Sequence, residues 1–250
     1  LFAVKDVSEE ILPYYDEVAA NTARAKEYIT QKNEPESELG EQCFAPYECA
    51  YWQYCSRELP SPNVLDLYRI SAKKAFGYME EGIITFDDAI KSGVPLSAAQ
   101  RRQVEFEQLQ LPTHIDRLGI KSFLETLWYP LYFLDFETFQ TGVPLYDGLR
   151  PYQQVPFQYS LHILANEGAT LEHKEFLADE NFDPRRALAE RLVADIPADV
   201  CVLAYNKGFE CGRLKELAET FPDLAEKLLA IRENVRDLLD VFRHGYVYDR

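Results

Sequence analysis

A mixed α/β domain preceded by a mostly helical N-terminal region is the fold class this chain predicts, on three observations. From Leu131 onward, apolar alternation of period two replaces the helical spacing of the first half. Residues 200–205 form a continuous apolar run, the mark of a strand buried on both faces. After residue 184 helical stretches alternate with strands. The chain has 250 residues, 47% hydrophobic and 27% charged, enough for one large core or two ordinary ones and unlike a disordered segment.

Taken in order, residues 6–30 read as one helix. Asp6 and Ser8 offer caps, Glu9 and Glu10 sit in the first turn, and Pro13 must lie near the start. Residues 31–40 are polar and read as a loop. A cysteine-bearing run follows, and Pro60 and Pro62 mark a break. Asn63 is placed to cap a helix that stops at Gly82, Thr85 to cap a short helix closed by Gly93, and Ser97 to cap a third that Pro112 ends. Strands are expected over 131–137, 156–164 and 171–177, then a helix over 184–195 with Pro184 in its first turn. A buried strand at 200–205 leads into a helix from Gly208, with Leu214, Leu217, Ala218 and Phe221 on one face. This divides the chain into 1–60, a helix plus cysteine segment; 61–128, a helical spacer; and 129–250, the α/β domain.

The formal net charge is −16, which argues against coating nucleic acid by charge alone, because such binding rests on Lys and Arg neutralising phosphates. A metal-dependent enzyme is not excluded, since its ions supply local positive charge. Residues 61–130, with 8 basic against 9 acidic side chains, are the least acidic part. No apolar run is long enough to span a membrane, and the N-terminus lacks the layout of a secretory signal. The expected compartment is the cytoplasm. The chain starts at Leu1 without Met, which reads as a piece of a longer protein.

Asp135 and Glu137 stand two apart at the end of a strand, so both carboxylates face one side. Two convergent carboxylates repel unless a divalent cation, or solvent at an open strand end, offsets the charge. In the second segment, Val202 to Glu210, a buried strand runs into a helix, with Asn206 at the turn and Glu210 in the first helical turn, where the helix dipole favours an anion. Asn206 as a plain N-cap and Glu210 as an ordinary first-turn acid is the other reading.

Together, Leu134-Asp135-Phe136-Glu137-Thr138 and Tyr205-Asn206 with Glu210 resemble the first two motifs of the DEDD, or DnaQ-like, 3′–5′ exonucleases. The resemblance implies a ribonuclease-H-like fold and a two-metal-ion nuclease using Mg²⁺ or Mn²⁺. Asp135, Glu137 and Glu210 would be the catalytic metal ligands, supported by Asn206. The implied substrate is a single-stranded end of DNA or RNA. Glu210 stands where the family has Asp, and the third motif does not occur before Arg250. Asp237 and Asp240 come too early for it and read as residues that cap or orient a helix or strand. On its own this stretch is therefore expected to be a weak nuclease. The alternative is a nucleic-acid-binding scaffold module of a larger DNA-processing protein.

Cys43, Cys49 and Cys55 are spaced six and six, which off a helix face requires a loop wrapping a point. Converging thiolates select zinc or an iron–sulfur cluster, and this spacing lacks the Cys-x-x-Cys pairs common at zinc; three unrelated buried cysteines, or a zinc-ribbon adaptor, are the rival readings. Cys201 and Cys211 read as core residues. The run resembles the C-terminal cysteine segment of RecB-like PD-(D/E)xK nucleases, which implies a 4Fe-4S cluster whose fourth ligand lies upstream. With the helical middle and the Asp-x-Glu-Thr strand in that order, the chain resembles an uncharacterised bacterial family joining such a nuclease to a ribonuclease-H-like domain. The turn at residues 81–83 and the helix after Thr85 resemble a helix-hairpin-helix element, or serve as a plain helical spacer.

Overall fold

The computed structural model of the protein describes residues 4–34 and 36–249. Residues 1–3, Pro35 and Arg250 lie outside it, and with them the two ends of the expected segments and one position of the 31–40 loop. The chain divides into two compact units at residues 110 and 111.

In the first unit the expected helix over 6–30 is interrupted. It runs as α1 (Ser8–Ile11), a 3-10 turn at Leu12–Tyr14 and α2 (Tyr15–Ile29), because Pro13 has no N–H to continue the ladder. None of its residues is buried. After a 3-10 turn at Glu41–Cys43 comes α3 (Trp52–Cys55), whose Trp52 ring lies 4.7 Å from Phe44. Asn63 does cap, but only a 3-10 turn at Val64–Asp66; Leu65 N donates to its Oδ1 and Asp66 answers from the other side. Arg69, at φ 53°, breaks the run expected to continue, and Ser71 caps α4 (Ala72–Glu80) afresh.

Thr85 and Ser97 cap α5 (Phe86–Lys91) and α6 (Ala98–Gln108) as the sequence predicts, each in a capping box closed by the residue three further on. Gly82, at φ 79°, supplies the left-handed turn between α4 and α5. Val64, Leu67, Ile83, Phe86, Ala89, Leu96 and Val104 close a core over these turns. Thr85→Ala removes the hydroxyl that accepts from Asp88 N and is expected to cost about 1 kcal/mol of this unit's stability, measured by denaturant unfolding.

The second unit opens with β1 (His114–Ile115) and α7 (Arg117–Leu124), the latter capped by Asp116. Residues 111–128, expected as the end of the spacer, belong with this unit because β1 pairs with the last strand, β7 (Val247–Tyr248). The body is a five-stranded sheet in the order β4-β3-β2-β5-β6, built from β2 (Leu131–Phe139), β3 (Val155–Leu164), β4 (Glu172–Leu177), β5 (Cys201–Ala204) and β6 (Val235–Asp237). β2, β5 and β6 run parallel, and β3 is antiparallel to both its neighbours, so the sheet is mixed.

The helices are α8 (Pro184–Asp195), α9 (Gly208–Thr220), α10 (Ala225–Glu233) and α11 (Asp240–Arg243). Alternate residues of β2, namely Tyr132, Leu134 and Phe136, join Leu161, Leu188, Leu192, Leu214, Leu217 and Ile231 in one core against α8, α9 and α10. Leu131 packs on the opposite face with Cys201, Leu203 and Trp128. Both faces of β5 are thereby covered, and every residue of it is buried, which is why its sequence is continuously apolar. No helix among the described residues is long and apolar enough to cross a membrane.

Candidate functional site

Three parallel strands end on one edge of this sheet, and in open α/β sheets that carboxyl edge is where loops and helix starts can converge on a ligand. Leu134 and Phe136 point into the core, so Asp135 and Glu137 between and beyond them emerge together on the other face, both exposed. Asp135 stands opposite Ser160 and Glu137 opposite Gln158, after which a bulge shifts the register.

The turn after β5 aims the next acid. Asn206 adopts φ 62°, a left-handed conformation that Asn tolerates better than most residues, and α9 starts at Gly208. Glu210, in its first turn, is only 4% exposed, and its Oε2 is buried without a hydrogen-bond partner. Burial pushes its carboxyl above the usual range, and the charges of Asp135 and Asp237 add to the shift. The edge therefore brings Asp135 into electrostatic reach of Glu210, with Glu137 two residues beyond on the same face.

Asp237, at the end of β6 and 2% exposed, holds the neighbouring turns together. Its Oδ1 accepts from Asn206 N at 2.8 Å and Leu239 N at 3.0 Å, and its Oδ2 from Arg243 Nη1 at 3.3 Å. Arg243 donates as well to Asn206 Oδ1 and to Asp240. The expected orienting role of Asp237 is thus visible as hydrogen bonds between two turns, and Asn206 is tied to it through its backbone N–H and to Arg243 through its amide oxygen. Arg243 had no motif to mark it; it is reached only through the fold.

Beyond Glu137 an open cleft of about 610 Å³ is lined by Phe139, Tyr146, Phe157, Leu177, Phe182 and Pro184. Phe139 lies 6.1 Å from Phe157 and 6.4 Å from Tyr146, whose hydroxyl donates to Phe182 O. The wall is mainly aromatic and apolar, with Asp179 and Glu180 completing it, which suits a flat apolar-faced group.

Chemically, the carboxylates offer hard oxygen donors and the unpartnered Glu210 oxygen is relieved by a proton or a cation. Among the described residues, however, no group of three His, Cys, Asp or Glu stands in position to hold a metal ion, and neither the three carboxylates nor Cys43, Cys49 and Cys55 form one. The cysteines lie along one short stretch of the first unit, with Cys49 N donating to Cys43 O; Cys49 is exposed and the other two half-buried. Of the two cysteines read as core, Cys201 is fully buried and Cys211 half-buried.

The raised Glu210 carboxyl has a measurable consequence. A folded value above the ordinary 4.5 means that stability present at low pH is lost as pH rises through the folded value. Glu210→Gln removes that loss. The variant is therefore expected to match the wild type below pH 4.5 and to unfold at higher temperature near neutrality, read by thermal melts across pH without divalent ions.

Residues 132–250 match a family described as "Domain of unknown function (DUF2779)". An alignment 121 residues long, covering 44% of this chain, is 31% identical to a Mycoplasma genitalium protein named Uncharacterized protein MG366. The chain spans 18% of that relative's length. No solved structure matches the chain.

Proposed function

We propose that the second unit is a metal-dependent nuclease domain of the ribonuclease-H-like, DEDD type, hydrolysing phosphodiester bonds from a single-stranded 3′ end of DNA or RNA. The observation that carries this reading is the buried, unpartnered carboxylate oxygen of Glu210, set at the carboxyl edge within reach of the Asp135 charge. Mg²⁺ or Mn²⁺ held by Asp135, Glu137 and Glu210 would supply charge stabilisation to the phosphoryl group. It would also offset the repulsion between a substrate polyanion and a chain of net charge −16. Phe139, Phe157 and Tyr146 give a base an aromatic surface to stack on. Mixed sheet order and the two motifs support the fold assignment. Cys43, Cys49 and Cys55 are proposed, on their donor softness and clustering, as three ligands of an iron–sulfur cluster.

The second reading, a nucleic-acid-binding scaffold with little catalysis, is favoured by the absence of a ready three-ligand group among the described residues. Single-turnover assays with the protein in excess over end-labelled DNA or RNA separate the two. Mn²⁺-dependent shortening of the strand from one end supports the nuclease. Retention of the strand without shortening replaces it by the scaffold.

A further inference from the structure

The sheet face that carries Asp135 bears a second group of polar side chains, one row further from that edge. His162 on β3 and His173 on β4 are directly opposed in the antiparallel register, as Ser160 and Glu175 are in the next row. Directly opposed side chains start from Cβ atoms about 4.5–5.5 Å apart. Here the two imidazoles stack, with ring centroids 4.4 Å apart and planes inclined by 24°. Ser160 Oγ lies 3.2 Å from His173 Nε2. His173 is exposed and His162 half-buried, so the rings form a wet, accessible pair. The chain contains only 4 His in 250 residues, and two of them meet at this point.

We infer that His162 and His173 form a site for a borderline divalent transition metal, Zn²⁺ by class, bridging β3 to the edge strand β4. Neutral imidazole is the commonest protein ligand for such ions, and zinc–nitrogen bonds of about 2.0–2.1 Å require the two donor nitrogens to approach one point. Stacked rings hold their in-plane lone pairs nearly parallel, so both side chains must turn out of the stack to bring one nitrogen of each to a common point. Their position on adjacent strands, one exposed and one half-buried, leaves them room to do so. Ser160 Oγ sits against Nε2 of His173 and yields to the ion, or the ion takes the other ring nitrogen. Two protein donors leave the remaining positions to water, with Glu175 in the adjacent row. The site differs in chemistry from the carboxylate edge, since imidazole discriminates against Mg²⁺ where carboxylates accept it. It does not depend on the nuclease reading. Among the described residues β4 pairs with β3 alone, so an ion across this pair fastens an edge strand whose other edge carries no ladder.

With only four histidines the test is residue-resolved. Imidazole resonances of the tag-free protein are followed by NMR during titration with Zn²⁺, and separately with Mg²⁺. Zn²⁺ added in excess of what the free cysteines take up is expected to move the His162 and His173 signals and to leave those of His114 and His244. Mg²⁺ moves none of the four. His173→Gln should abolish the Zn²⁺ response of His162, and Asp135→Asn should leave both responses intact. Unmoved His162 and His173 signals, a response no larger than that of His114 and His244, or a response lost in Asp135→Asn overturns the site. The wild-type titration decides even where a variant fails to fold.

Discussion

Asp135→Asn is expected to lower Mn²⁺-dependent strand shortening by at least about 100-fold. Residues that merely orient metal ligands typically contribute 10–100-fold, and Asp135 is proposed as a ligand itself. The substitution keeps shape and removes charge. Asp135 is exposed on a strand whose neighbours Leu134 and Phe136 carry the packing, so the fold should be untouched. Thermal melts of the variant should then match wild type or rise slightly near neutrality, where the Asp135 charge opposes ionised Glu210, while single-turnover rates fall. A variant that cleaves as well as wild type removes Asp135 from the chemistry and leaves the scaffold reading.

Asp237→Ala should act in the opposite way, on stability first. It strips the acceptor from two backbone N–H groups and from Arg243 at a position 2% exposed. Orphaned donors and a charge left beside a cavity together cost about 3 kcal/mol, discounted because Arg243 can turn toward water. For a protein of this size that corresponds to a fall of about 6–12 °C in melting temperature. Since Asn206 and Leu239 then lose their shared anchor, the start of α9 loosens and Glu210 with it. Asp237→Asn, which keeps an acceptor, should recover part of the stability. Equal melting of Asp237→Ala and wild type would show that the turns hold without it.

Long elements are legible in the sequence, whether from helix-forming residues behind a well-placed proline or from an unbroken apolar run. The helix expected over 184–195 is α8 itself, with Asp183 capping and Pro184 in the first turn, and β5 follows from four successive apolar residues. Short elements are not. β6 has three residues and β1 and β7 two each, too few for any period to register, and their existence depends on partners far along the chain. Helix breaks in the first unit were half legible. Pro13 was marked, whereas the left-handed Arg69 carries no signal in its own residue type.

For the site, alternation alone placed Asp135 and Glu137 on one face. The approach of Asp237 to Glu210 needs the parallel register of β5 and β6, and the His162–His173 pair needs that of β3 and β4. Spacing within a strand can be read from sequence. Register between strands is a tertiary outcome.

In the proposed nuclease the carboxyl edge of the sheet holds a divalent ion through Asp135 and Glu210. Crystals of the protein soaked in Mn²⁺ and measured at a wavelength where manganese scatters anomalously test it directly. An anomalous peak is expected between the Asp135 and Glu210 carboxylates, with Glu137 turned toward it and the Glu210 Oε2 now partnered. A map with no peak at that edge at saturating Mn²⁺, or one in which Glu210 remains buried and unliganded, contradicts it.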